Sequence, residues 1–177
     1  RPDGNDVLIN IAGFLAGWLA LFYYAGLGQE VVGLGIAGVF IALHLWRSPD
    51  GFAEAQLVVF AAAVGTIAEA FIMYFGLATY AGTAMASGLP PPWIIAQWAL
   101  FATLLNVALR PLRNWILLSL GVGFVFLPIA KLAGLKFGVI DLPAPIFRSL
   151  SLIGLCWAVV LTILFAVARL LDGWQER

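Results

Sequence analysis

Between Val7 and Gly26 the chain carries no charged side chain, and apolar runs of similar length return until its end. About 20 consecutive apolar residues are what an α-helix needs to cross roughly 30 Å of hydrocarbon. Divided at Gly, Pro and charged residues, the pattern predicts helices over about 7–26, 30–46, 55–77, 93–109, 114–133 and 149–170. The first run lacks the basic stretch that precedes a signal-peptide core and is longer than such a core, so it is read as a helix of the bundle. Composition agrees: 63% of residues are hydrophobic and 10% charged, with a mean hydropathy of +1.04, whereas soluble domains carry roughly 25% charged residues. The expected fold class is all-α, a polytopic transmembrane bundle of six helices forming a single transmembrane domain over residues 1–177.

Six crossings put both termini on one side, together with "RSPDGFAEA" and "RPLRN". That side collects Arg1, Arg47, Arg110, Arg113, Arg169 and Arg177, and the other only Lys131, Lys136 and Arg148. The positive-inside rule therefore predicts cytoplasmic termini. With zero formal net charge and no basic run beyond "RPLR", no nucleic-acid partner is expected. The one cysteine, Cys156, excludes an intrachain disulfide and a thiolate metal cluster. One histidine and few intramembrane carboxylates offer neither a His-rich metal site nor a nucleophilic triad, so no metal and no cofactor is predicted, and an enzyme is the least favoured class. Two connections on the other side are long. "ATYAGTAMASGLPPPW" is stiffened by its prolines and delivers Trp93 to the interface, and "KLAGLKFGVIDLPAPIFR" either lies among headgroups or folds back over the bundle.

Against this apolar background Glu69 stands out. On a helix it shares a face with Ala62, Gly65, Thr66, Met73 and Gly76, while Phe60, Val64, Ile67, Phe71, Phe75 and Leu77 occupy the other. Small residues let helices approach closely, so Glu69 is predicted to face inward. An acidic group at a helix centre costs about 2.5–3.5 kcal/mol to insert, which demands a partner, a water-filled cavity or a proton. Lys131 and Gln97 are the candidate partners, and Trp93, Trp98 and Tyr80 are candidate lining residues. Two readings stand: a pocket that grips a polar head or a proton, or a hydrogen-bonded carboxyl that pins two helices.

A second constellation lies toward the basic side. Ala99, Ala102, Thr103, Asn106, Arg110 and Arg113 form one stripe, with Asn10 and His44 at similar depth and His44 on the small-residue face of Gly33 and Ala37. It reads as a site for a phosphate or carboxylate head, or, preferably, as interhelical hydrogen bonds with arginines reaching out to the interface.

The run "PPPWIIAQWALFATLLNVALRPLRNW", with the preceding "AEAFIMYFGLATYAG" and the earlier "ALHLWRSP", resembles an uncharacterised bacterial inner-membrane family, domain of unknown function 2878. Glu69 and Asn106 occupy positions that match its motif. Glu69 replaces an aspartate, and Val107 stands where a histidine is common, which argues against metal or acid/base chemistry on the fourth helix. The resemblance implies a compact multi-pass protein of the bacterial inner membrane, and some members are encoded beside lipid-modifying enzymes. The expected function is binding, and by analogy transport, of a small amphipathic or lipid-like molecule in an intramembrane pocket. Its residues are Glu69, Thr66, Gln97, Trp93, Trp98, Tyr80 and Lys131, with Asn106 and His44 at the second site. The expected partners are the lipid bilayer and that ligand. The alternative is a non-catalytic accessory or anchor for lipid-modifying enzymes, with a membrane protein as partner.

Overall fold

The computed structural model describes residues 2–83 and 86–175, with the backbone alone at 126 and 127. Arg1 and Arg177, counted in the charge asymmetry, and residues 84 and 85 of the first long connection lie outside the described residues.

Helix α1 (Gly4–Gly26) begins at a reciprocal cap: the Asp3 carboxylate accepts from Asp6 N at 2.8 Å, and the Asp6 carboxylate accepts from Asp3 N at 3.0 Å. It ends at Gly28, whose φ of +70° reverses the chain into α2 (Glu30–Arg47). Helix α3 (Gly51–Tyr74) starts under an Asp50 cap to Ala53 N. Strand β1 (Thr79–Tyr80) follows, and α4 (Pro92–Leu105) opens with proline in its first turn, where no amide partner is lost. A 3-10 turn, Leu112–Asn114, leads into one long rod made of α5 (Ile116–Gly121), a π-helical stretch (Val122–Phe126) and α6 (Leu127–Lys136). Pro128 explains the π stretch: it cannot donate to the Phe124 carbonyl, and its ring would crowd that carbonyl in a regular helix. Strand β2 (Ile140–Asp141) and α7 (Ile146–Leu170) complete the chain.

Five of these helical rods are long and apolar enough to cross a membrane: α1, α2, α3, the α5–α6 rod and α7. The expected fourth span differs. It is a helix of 14 residues ending at Leu105 instead of 109. The residue before Pro111 is disfavoured in a helix, and the chain turns from Asn106 onward.

The short helix is the axis of the bundle, with nine of its 14 residues buried. It packs against α1, α2, α3 and α7. Around it the outer rods run α2 beside α1, α3 beside α2, α7 beside α3, and the α5–α6 rod beside α7, while among the described residues α1 and the α5–α6 rod share no extended packing. The outer ring is therefore open along that seam. Close approaches are made at glycines: Gly33 of α2 lies on the α1 backbone at Ala20 and Leu21, and a side chain at Gly65 of α3 would collide with the Trp98 indole.

At the strand end of the bundle, β1 and β2 pair antiparallel, Thr79 opposite Asp141 and Tyr80 opposite Ile140. Val139, Ile140 and Leu142 are buried, so the second long connection folds back over the bundle. This two-residue ribbon is a minor addition to a chain that is otherwise helical, as the sequence predicts. The Phe22 ring stacks on Phe137 at 5.7 Å and closes the seam there. The opposite, terminal end gathers both described chain ends: Arg47 pairs with Asp6 at 2.6 Å, and Ser48 Oγ donates to Gly173 O at 3.1 Å. The outward surface is apolar, with Val31, Trp46, Leu117, Phe147 and Leu170 all strongly exposed.

Candidate functional site

Glu69 lies on the buried stripe of α3, Glu54, Val58, Ala61, Gly65, Ala68 and Ile72, and is itself 1% exposed. The exposed face carries Ile67, Phe71 and Phe75, as the periodicity predicts. Three donors reach the carboxylate. Lys131 Nζ of α6 donates to Oε2 at 2.8 Å, the Tyr80 hydroxyl donates to the same oxygen, and Trp98 Nε1 of α4 donates to Oε1 at 3.2 Å. Lys131 also donates to the Tyr80 hydroxyl at 2.6 Å, and its ammonium sits 4.3 Å from the Tyr80 ring centre and 4.8 Å from that of Trp157. The cation and anion are equally buried and the pair is neutral as a unit. Burial, and then the neighbouring Glu69 charge, push the Tyr80 phenol well above its ordinary pKa, so it holds its proton and serves as a donor.

Beside this cluster the open seam forms a slot of about 320 Å³. Phe14, Leu15 and Trp18 of α1 form one wall, and Val122, Ile129, Ala130 and Ala133 of the α5–α6 rod form the other. Its floor is Gln97, Trp98, Phe101 and Leu104 of α4, with Trp157 of α7 and Glu69 at the polar end. The Gln97 amide lines the slot and has no hydrogen-bond partner among the described residues. Thus the expected Gln97–Glu69 bond is not made: Gln97 faces the slot on its own.

Not every predicted lining residue belongs to the slot. Thr66 turns its hydroxyl onto its own helix, to Ala62 O at 2.7 Å. Trp93 is fully buried, donates to Ala81 O at 2.8 Å and packs edge-on against Tyr80 and Phe22, so it anchors the ribbon. Tyr80 and Lys131 act on Glu69 and do not line the slot.

Asn106 and His44 meet at the terminal end, around a residue that sequence reasoning missed. Glu54 is fully buried: its Oε2 pairs with His44 Nε2 at 3.0 Å, and its Oε1 accepts from Asn106 Nδ2 at 2.8 Å and Gly173 N at 2.9 Å. Asn106 Oδ1 accepts from Arg113 at 2.7 Å, and Arg113 and Arg110 converge on Asp172 at 2.6 and 2.9 Å. Asn10 donates to Thr103 O at 3.0 Å. A cavity of about 30 Å³, room for about one water, lies among Asp6, Asn10, His44 and Trp174. The stripe of Asn106 and Arg113 was visible in the sequence, but a carboxylate in a helix's first turn is ordinarily explained by the helix dipole. The signal that would have found Glu54 is its place on the same three-to-four-residue stripe as Gly65 and Glu69. Asp172, after the end of α7, had no such signal.

Among the described residues no group of three His, Cys, Asp or Glu side chains could hold a metal ion. No curated protein and no solved structure matches the chain. The profile of the family described as "Protein of unknown function (DUF2878)" matches residues 7–163, nearly the whole bundle, and the chain belongs to that family.

Proposed function

We propose that the protein is a six-crossing protein of the bacterial inner membrane that binds a small amphipathic, lipid-like molecule in the slot beside Glu69. The observation that carries this reading is the slot itself: about 320 Å³ of apolar space with one unpartnered amide, Gln97, near its polar end. Ligand sites are of this size and make-up, mostly apolar with few convergent polar groups. Five rods are long enough to span. The sixth crossing would be α4, which meets protein on most sides and so need not match the hydrocarbon thickness by itself. Six traverses accord with both chain ends lying at the terminal end. Among the described residues the terminal end carries Arg47, Arg110, Arg113 and Arg169 and the strand end Lys131, Lys136 and Arg148, a small excess that favours cytoplasmic termini.

A second reading, an accessory or anchor protein for lipid-modifying enzymes, is favoured by a separate observation. Glu69 and Glu54 are both satisfied by groups of the same chain, as expected of residues that only hold helices together. The two readings part on a single experiment: extraction into lipid nanodiscs, followed by mass spectrometry of the small molecules retained by the native protein and by Ala133→Trp, which fills the slot. A lipid-like species retained by the native chain and lost from the variant supports binding. Equal content, together with co-purification of a stoichiometric protein partner, supports the accessory role.

A further inference from the structure

We infer that the occupant of the slot is a neutral lipid whose hydroxyl or carbonyl head meets the Gln97 amide and whose chain runs toward Leu104 and Val122; this rests on the binding reading above.

The head must be uncharged because the slot holds no spare charge. Glu69 is the one ionisable residue that lines it, and Lys131 already matches that carboxylate at 2.8 Å. Trp98 occupies the second oxygen. An anionic head would face the carboxylate with no free cation, and a cationic head would have to displace Lys131 from a site where it is 2% exposed. Either charge would be left unpaired in an apolar space, the costliest state for an ion. Gln97 carries both a carbonyl and an NH₂, so it can accept from a hydroxyl or donate to a hydroxyl, ester or ketone oxygen.

The placement of the chain follows from shape. The wall residues Val122 to Ala133 lie on one rod and span about 16 Å at the helical rise. A space of about 320 Å³ along that length is an elongated slot that suits an alkyl or prenyl chain. The direction follows from the lining: polar groups sit at Gln97 and Glu69, whereas Phe14, Leu104, Leu109 and Val122 are all apolar. The strand end is closed by Phe22 on Phe137. Along the seam Leu15 and Ile129 remain half exposed, so a chain dissolved in the bilayer reaches the slot from the side.

The test is photolabelling in phosphatidylcholine nanodiscs at neutral pH with three diazirine-bearing probes: dodecanol, dodecanoate, and the same chain without a head. Labelled peptides from α4 and α6 are quantified. Dodecanol should label the native protein roughly tenfold above dodecanoate, the difference one unpaired polar group makes. Gln97→Leu should lower dodecanol to the level of the headless chain while leaving the headless chain unchanged, which also reports an intact slot. Equal labelling by alcohol and carboxylate, or indifference to Gln97→Leu, would overturn the inference and leave the binding reading standing. Labelling by every probe that is the same in the native protein and in Ala133→Trp would remove the binding reading itself.

Discussion

Glu69 has two oxygens and receives three donors from three other segments, so its carboxylate is a junction before it is anything else. Removing one partner of a buried pair costs about 3–5 kcal/mol, because the other charge is left uncompensated, whereas replacing both is far cheaper. Lys131→Met should therefore lower stability by about that amount, and Glu69→Gln combined with Lys131→Met should recover most of it; thermal unfolding of the purified variants measures both. Loss of ligand in Glu69→Gln alone would not identify a binding residue, since that change also orphans Lys131. Gly65 offers a cleaner probe of the same junction. A methyl group there meets the Trp98 indole, so Gly65→Ala should cost about 1–3 kcal/mol, and Trp98→Phe should relieve part of it. Tyr80 adds a pH dependence. Its folded pKa is raised, so above about pH 10 the unfolded chain releases a proton that the folded chain keeps, and stability falls as pH rises through that range. The fall should be shallower in Tyr80→Phe, as read by chemical unfolding at pH 9 to 11.

At the scale of elements, α3 is the strut of the bundle, carrying one buried carboxylate near each end. Glu54 ties it to α2 through His44, to the turn that ends α4 through Asn106 and to the segment after α7 through the Gly173 amide. Gly173 is required by close approach: a side chain would collide with the Asp50 carbonyl and with Ser48 and Glu54. Glu54→Leu takes from His44, Asn106 and the Gly173 amide the carboxylate they share, and should cost about 3–5 kcal/mol. It should also free the chain after α7, so that trypsin cuts at Arg169 faster than in the native protein. A cleavage rate unchanged from native would show that the clamp is held elsewhere. The helices themselves were legible from apolar runs and from Gly and Pro punctuation. The end of α4 at Leu105 was not, because Asn106 reads as one more inward-facing residue of the helix until Glu54 and the Leu171 carbonyl are seen to hold it. The π stretch before Pro128 was equally silent in the pattern, since one residue of slippage leaves the apolar character unchanged.

For the whole molecule, an axial helix inside an incomplete ring produces both a scaffold and a side opening. The proposed six traverses and basic terminal end predict that a fluorescent protein fused after Arg177 lights up in the cytoplasm, and that alkaline phosphatase fused at Gly138 is active outside it. The reverse pattern would overturn the proposed orientation. The chain's order of residues, by itself, determined its family, its apolar helices and the inward side of α3, because helical period and hydropathy are properties of neighbouring residues. Only the tertiary structure decided that Lys131 and Tyr80 would satisfy Glu69, that Gln97 would be left without a partner, and that α1 and the α5–α6 rod would stand apart. Those outcomes depend on which rods lie side by side, a choice made by steric fit at glycines and by charge pairing across dozens of residues, and no local pattern carries it.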